Sequence, residues 1–121
     1  MNEVKINGKI YVPKDTLVRT KAKNKKGLDY CIVRTYSAGV FAGWINRKVK
    51  GKEHTIFDSR RIWYWDGAAS LSQLAIDGVS KPENCKFAME LPLITLTEAI
   101  EIIPCTERAK KNISGVAVWK K

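Results

Sequence analysis

Residues 30–45 read YCIVRTYSAGVFAGWI, which divides into Tyr30–Tyr36, a turn at Ser37-Ala38-Gly39, and Val40–Ile45. Both halves are dense in β-branched and aromatic residues, the types that fit a pleated, half-buried surface. The small residues between them supply a reversal of the chain. The stretch therefore predicts two antiparallel strands. Downstream, Thr55-Ile56-Phe57 and Arg61-Ile62-Trp63-Tyr64-Trp65 continue the pattern as two strands, or as one bent strand divided at Asp58-Ser59. Sequence neighbours that pair in turn make a meander. The expected class is mainly β (α+β): a small antiparallel barrel or curved sheet with one main helix packed on it.

That helix is expected at Ala68–Ile76, where Leu71, Leu74 and Ala75 share a face. Asp66 or Ser70 can cap its start, Ser70 with Gln73 making a capping box, and Gly78 suits the end. Thr106 is positioned to cap a second helix, Glu107–Ile113. Cys85–Leu91 and Ile94–Thr97 read as extended, and Val116–Trp119 as a last strand. Glu98–Ile103 fits either period, and a helix there would give a β-grasp-like arrangement instead. At the amino terminus, residues 1–13 read as two short strands around Asn7-Gly8, a strong hairpin-turn signal. Leu17–Thr20 suits an extended segment, and Lys21–Gly27 a basic loop.

With 121 residues, 45% of them hydrophobic, the chain has the size and apolar content of one domain, 1–121. No apolar run approaches a membrane span, and no signal-peptide core follows Met1, so a cytoplasmic protein without membrane association is expected. The net charge of +10 is unevenly spread: residues 1–61 hold 15 of the 22 Lys and Arg and only 5 of the 12 acids. Such a one-sided excess attracts anionic partners, or is simply a solvated face.

Three widely spaced cysteines and one histidine, His54, offer no metal-ligand spacing and no disulfide framework. No nucleophile–base pattern stands out, so neither enzymatic activity nor a cofactor is expected.

The candidate ligand residues are Arg34, Tyr36, Ser37, Arg60, Arg61, Trp63 and Trp65. Strand alternation puts Arg61, Trp63 and Trp65 on one face. There the indoles would stack on a base and the guanidinium would fork onto phosphate. The competing reading makes the tryptophans core. Arg34, alone in an apolar strand, is either an ion-pair anchor or an anion ligand. Ser37-Ala38-Gly39 can form an anion-binding nest.

The segments RTYSAGVFAGW (34–44), SRRIWYWDGAASLSQLA (59–75), GVSKPENCKF (78–87) and LTEAIEIIPCTERAKKNI (96–113) resemble a family of small proteins of tailed phages and prophages. The family pattern has no established catalytic centre, so the resemblance implies a phage context. By analogy from that context, the expected function is counter-defence: sequestering a small anionic nucleotide-derived signal without cleaving it. The alternatives are a nucleic-acid-binding β module, whose Lys14–Lys26 and Arg47–Lys52 loops would track phosphates, and a decoy of a host protein. Exposed β edges on a small aromatic-rich chain also favour a homo-oligomer.

Overall fold

The computed structural model describes residues 26–120, together with the backbone of residues 4–6 and 9–11. Leu17–Thr20, the Asn7-Gly8 turn and the basic stretch up to Lys25 lie outside the described residues. Strands β1 (Val4–Ile6) and β2 (Lys9–Tyr11) pair antiparallel, as the hairpin signal predicts. The main sheet is built from β3 (Asp29–Thr35), β4 (Val40–Ile45), β5 (His54–Tyr64), β6 (Lys86–Phe87), β7 (Leu91–Leu96) and β8 (Ala99–Pro104). Helices α1 (Leu71–Asp77) and α2 (Glu107–Gly115) cover one of its faces.

All the pairings are antiparallel, in the order β6-β5-β4-β3-β8, with β7 also bonded to β5. The long β5 therefore has two partners on one flank. Its first half lies beside β7, and Ile62 to Tyr64 lie beside β6.

Between them β5 bends at Asp58, whose φ of 49° is left-handed. The β4–β5 register shifts there, so Gly43 alone faces Asp58 and Ser59. Only glycine fits: a Cβ on Gly43 would lie 2.5 Å from Ile56 Cγ2 and 2.8 Å from the Phe57 carbonyl oxygen.

The sheet is strongly curled. Strands β7 and β8 occupy opposite edges, yet only Thr97 and Glu98 separate them in the chain. Three Cα steps reach at most about 11 Å. Five flat strands would hold those edges about 19 Å apart. The link is possible only because the sheet wraps round, and Ala99 N–H donating to the Lys52 carbonyl at 2.9 Å ties the corner. Inside the curl pack Cys31, Val33, Phe41, Ile45, Ile56, Leu96 and Ala99. The opposite parity, Tyr30, Ile32, Ala42, Trp44 and Ile62, packs under the helices with Leu74, Ala109 and Ile113. Strand β3 is buried on both faces, which is why it reads as a nearly unbroken apolar run.

Glu98–Ile103 resolves as strand β8, because the buried edge of β3 offers backbone partners from Cys31 to Thr35. The helices carry the caps the sequence predicts: Ser70 Oγ accepts from Gln73 N–H at 3.1 Å, and Thr106 Oγ1 from Ala109 N–H at 3.0 Å. The main helix begins at Leu71, not Ala68, since Ser70 is its cap. No helix among the described residues is long and apolar enough to cross a membrane.

Two buried acids of the core give the fold a pH limit. Burial pushes the Tyr30 phenol above its ordinary value of 10.0, helped by Cys105 nearby, and burial likewise pushes the Cys105 thiol above 9.0. The unfolded chain therefore releases these protons first. The stability they contribute is complete below about pH 8 and is lost as pH rises from about 9 upward. The thermal unfolding midpoint is expected to be level up to about pH 8 and to fall progressively above about pH 9. A midpoint that holds steady to about pH 10.5 would contradict this.

Candidate functional site

The sequence pattern places seven residues at a site, and the structure distributes them over three environments. Arg60 and Arg61 are adjacent and so point to opposite sides of the sheet. Arg60, opposite Ala42, turns under the helices and is 3% exposed. Its Nη1 donates to the carbonyls of Ile113 (3.0 Å) and Val116 (2.6 Å), its Nε to Ala88 (3.0 Å) and its Nη2 to Phe87 (3.4 Å). Burial depresses its pKa, with Tyr30 and Glu90 opposing the shift. Ile113 and Val116 stand at the carboxyl end of α2, where carbonyls lose the regular helical donors, and Ile113 keeps only a long 3.3 Å bond from Val116 N–H beside the one from Arg60. Arg60 thus serves as a clamp between β5, β6 and the end of α2, and its guanidinium faces away from the surface cluster.

Arg61 emerges on the helix-free side. Its guanidinium carbon lies 4.8 Å from the Phe41 ring centroid and 5.3 Å from that of Trp63, which is 59% exposed. The β5–β6 register then shifts, with Ile62 opposite Phe87 and Tyr64 opposite Lys86. Trp63 is the extra residue of a β-bulge. A bulge inverts the alternation beyond it. Tyr64, rather than Trp65, therefore stays near Arg61 and Trp63, while Trp65 turns back to pack on the helix-side core. This corrects the expected grouping of Arg61, Trp63 and Trp65.

The chain end completes the face. After α2, Val118 forms a parallel bridge with Phe87, and Trp119 N–H donates to the Phe87 carbonyl at 2.9 Å. Trp119 consequently lies on the same side as Lys86, whose Nζ sits 5.4 Å from its ring centroid. The resulting surface interleaves two cations, Arg61 and Lys86, with four rings: Phe41 beneath, and Trp63, Tyr64 and Trp119 exposed by 59%, 52% and 41%. Neither Arg61 nor Lys86 forms an ion pair among the described residues, and Arg61 Nε is buried without a hydrogen-bond partner.

Lys86 and Trp119 carry no local signal in the sequence. They join the face through the pairing of β6 with β5 and of the chain end with β6. Unbroken alternation would turn Tyr64 to the opposite side, and the bulge brings it to this one.

Arg34 stands apart, with its Nε donating to Glu101 Oε1 at 3.1 Å across the β3–β8 pair, so its charge is already answered. Tyr36 and Ser37 occupy the exposed β3–β4 turn, where the Tyr36 side chain projects with 76% exposure. Cavities of about 380 and 330 Å³ lie elsewhere. Gly67, Asp77, Gly78, Arg108 and Asn112 help to line the first. Leu28, Trp44, Phe57 and Pro92 help to line the second.

The molecule is thus defined as a curled antiparallel sheet with a helical layer on one face and an aromatic–cationic surface on the other. Residues 28–113 match the domain of unknown function DUF6948, and the chain belongs to that family. No curated protein and no solved structure matches it.

Proposed function

We propose that the protein binds nucleic acid on the Arg61–Trp63–Tyr64–Lys86–Trp119 face. The observation that carries this reading is the interleaving of two cations, free of carboxylate partners among the described residues, with three exposed rings on one sheet face. Aromatic rings stack on bases, the cations neutralise phosphates, and the sheet holds both in place before contact. The further basic residues of the chain add diffuse attraction, for 7 of the 22 Lys and Arg fall within residues 1–25. The reading includes no chemical step.

Enclosure of one small nucleotide is less well supported, because the cavities of about 380 and 330 Å³ are lined by other residues. An open surface suits a longer ligand.

The test is a tryptophan-fluorescence titration with a single-stranded oligothymidylate of about ten nucleotides. Removing one stacking ring costs about 1–3 kcal/mol. Trp63→Ala is therefore expected to weaken binding by at least about fivefold, and Arg61→Ala by a similar factor. Arg34→Ala should change it little, since Arg34 is engaged by Glu101. Unaltered affinity in Trp63→Ala would rule this face out.

A further inference from the structure

Resting on that reading, we infer that the ligand is a single strand with unstacked bases, spanning more than one nucleotide, with a backbone phosphate on Lys86. The aromatic groups of the face belong to different strands. Trp63 and Tyr64 sit on β5, Lys86 on β6, and Trp119 on the chain end that pairs with β6 on its far side. Two interstrand steps separate the aromatic groups by about 10 Å. Stacked bases along a nucleic-acid strand are about 3.4 Å apart. Bases resting on both aromatic groups are therefore held about three times farther apart than stacked neighbours.

A duplex cannot meet that spacing. Its bases are stacked and paired, and it presents their edges instead of their faces. A single strand can splay its bases, and the backbone joining them must then cross the strip between β5 and the chain end. Lys86 occupies that strip, beside Tyr64 in register and with its ammonium 5.4 Å from the Trp119 ring. Arg61 holds the other side, fixed between Phe41 and Trp63 at 4.8 and 5.3 Å. A mononucleotide can engage only one of the two aromatic groups.

The experiment compares four ligands on the full chain by fluorescence anisotropy and tryptophan quenching. They are an oligothymidylate of about ten nucleotides, a blunt duplex of equal length, trithymidylate and thymidine monophosphate. The single strand is expected to bind at least tenfold tighter than the duplex, and the trinucleotide at least tenfold tighter than the monophosphate. Lys86→Met should lower the magnitude of the log affinity–log salt slope by about 0.7, the value for one phosphate contact on a single strand. Trp119→Ala should weaken the trinucleotide at least fivefold while leaving the monophosphate bound on Trp63. Trp119→Phe, which keeps a ring, should fall between Trp119→Ala and the parent chain.

Equal binding of duplex and single strand, or an unchanged salt slope in Lys86→Met, overturns this inference and leaves the nucleic-acid reading standing. Failure of every oligonucleotide to bind overturns both.

Discussion

Arg60→Ala should lower the stability of this protein more than loss of any exposed cation, by about 3–5 kcal/mol. The guanidinium is 3% exposed and donates to four backbone carbonyls, two of them at the end of α2. Truncation takes their donor from the Ala88 and Val116 carbonyls, at about 1–3 kcal/mol each before water enters the gap, and opens a cavity beside Phe87, while the Ile113 and Phe87 carbonyls keep the N–H groups of Val116 and Trp119. At about 4 °C of midpoint per kcal/mol for a domain of this length, thermal denaturation should shift down by roughly 10–20 °C. Arg61→Ala, one residue along and pointing the other way, should shift it by only a few degrees. Similar midpoints for the two variants would show that Arg60 is not the clamp described. The pair also separates stability from binding: Arg61→Ala should weaken ligand binding and keep its fold.

Gly43→Ala is the second large effect, and it comes from a single methyl group. Gly43 does not have a left-handed φ, so backbone strain plays no part. The added carbon would lie 2.5 Å from Ile56 Cγ2, 2.8 Å from the Phe57 carbonyl oxygen and 3.2 Å from Ser59 Cα. Two of the three obstacles are backbone, so β5 itself must move. Overpacking of this kind costs about 1–3 kcal/mol, and the upper end applies because the bulge at Asp58 would be pushed out of register with β4. Urea unfolding should show a lower midpoint with an unchanged slope. A midpoint equal to the parent's would mean that β4 and β5 do not approach this closely.

Residues 30–45 and the two helix caps were legible because their determinants are local. β-Branched and aromatic runs specify β3 and β4, and a hydroxyl three residues ahead of a free N–H specifies each helix start. Glu98–Ile103 was ambiguous because EAIEII satisfies both periods, and only the edge of β3, more than sixty residues away, decides it.

The candidate site was half legible for the same reason. Arg61 and Trp63 meet because they are two apart on one strand. Trp65 was misplaced by the bulge, which depends on how β6 pairs. Arg60 looks like a surface cation until the end of α2 brings carbonyls to it. Lys86 and Trp119 could not be grouped by spacing, being 33 positions apart in the chain.

The two-residue link across the mouth of the curl sets the order in which the chain can fold. Strands β3, β4 and β5 form by hairpin closure between near neighbours, which is fast. Strand β8 returns to β3 across a sequence separation of 67 at Arg34 and Glu101, and closing so long a loop costs entropy before any contact offsets it. Thr97 and Glu98 carry β8 to that edge only after β7 has docked on β5. Wrapping is therefore expected late, with the β3–β8 seam forming after the rate-limiting step. Weakening that seam should leave the folding rate nearly untouched and accelerate unfolding. The lifetime of the native protein is then governed by the last seam to close, however quickly its hairpins form.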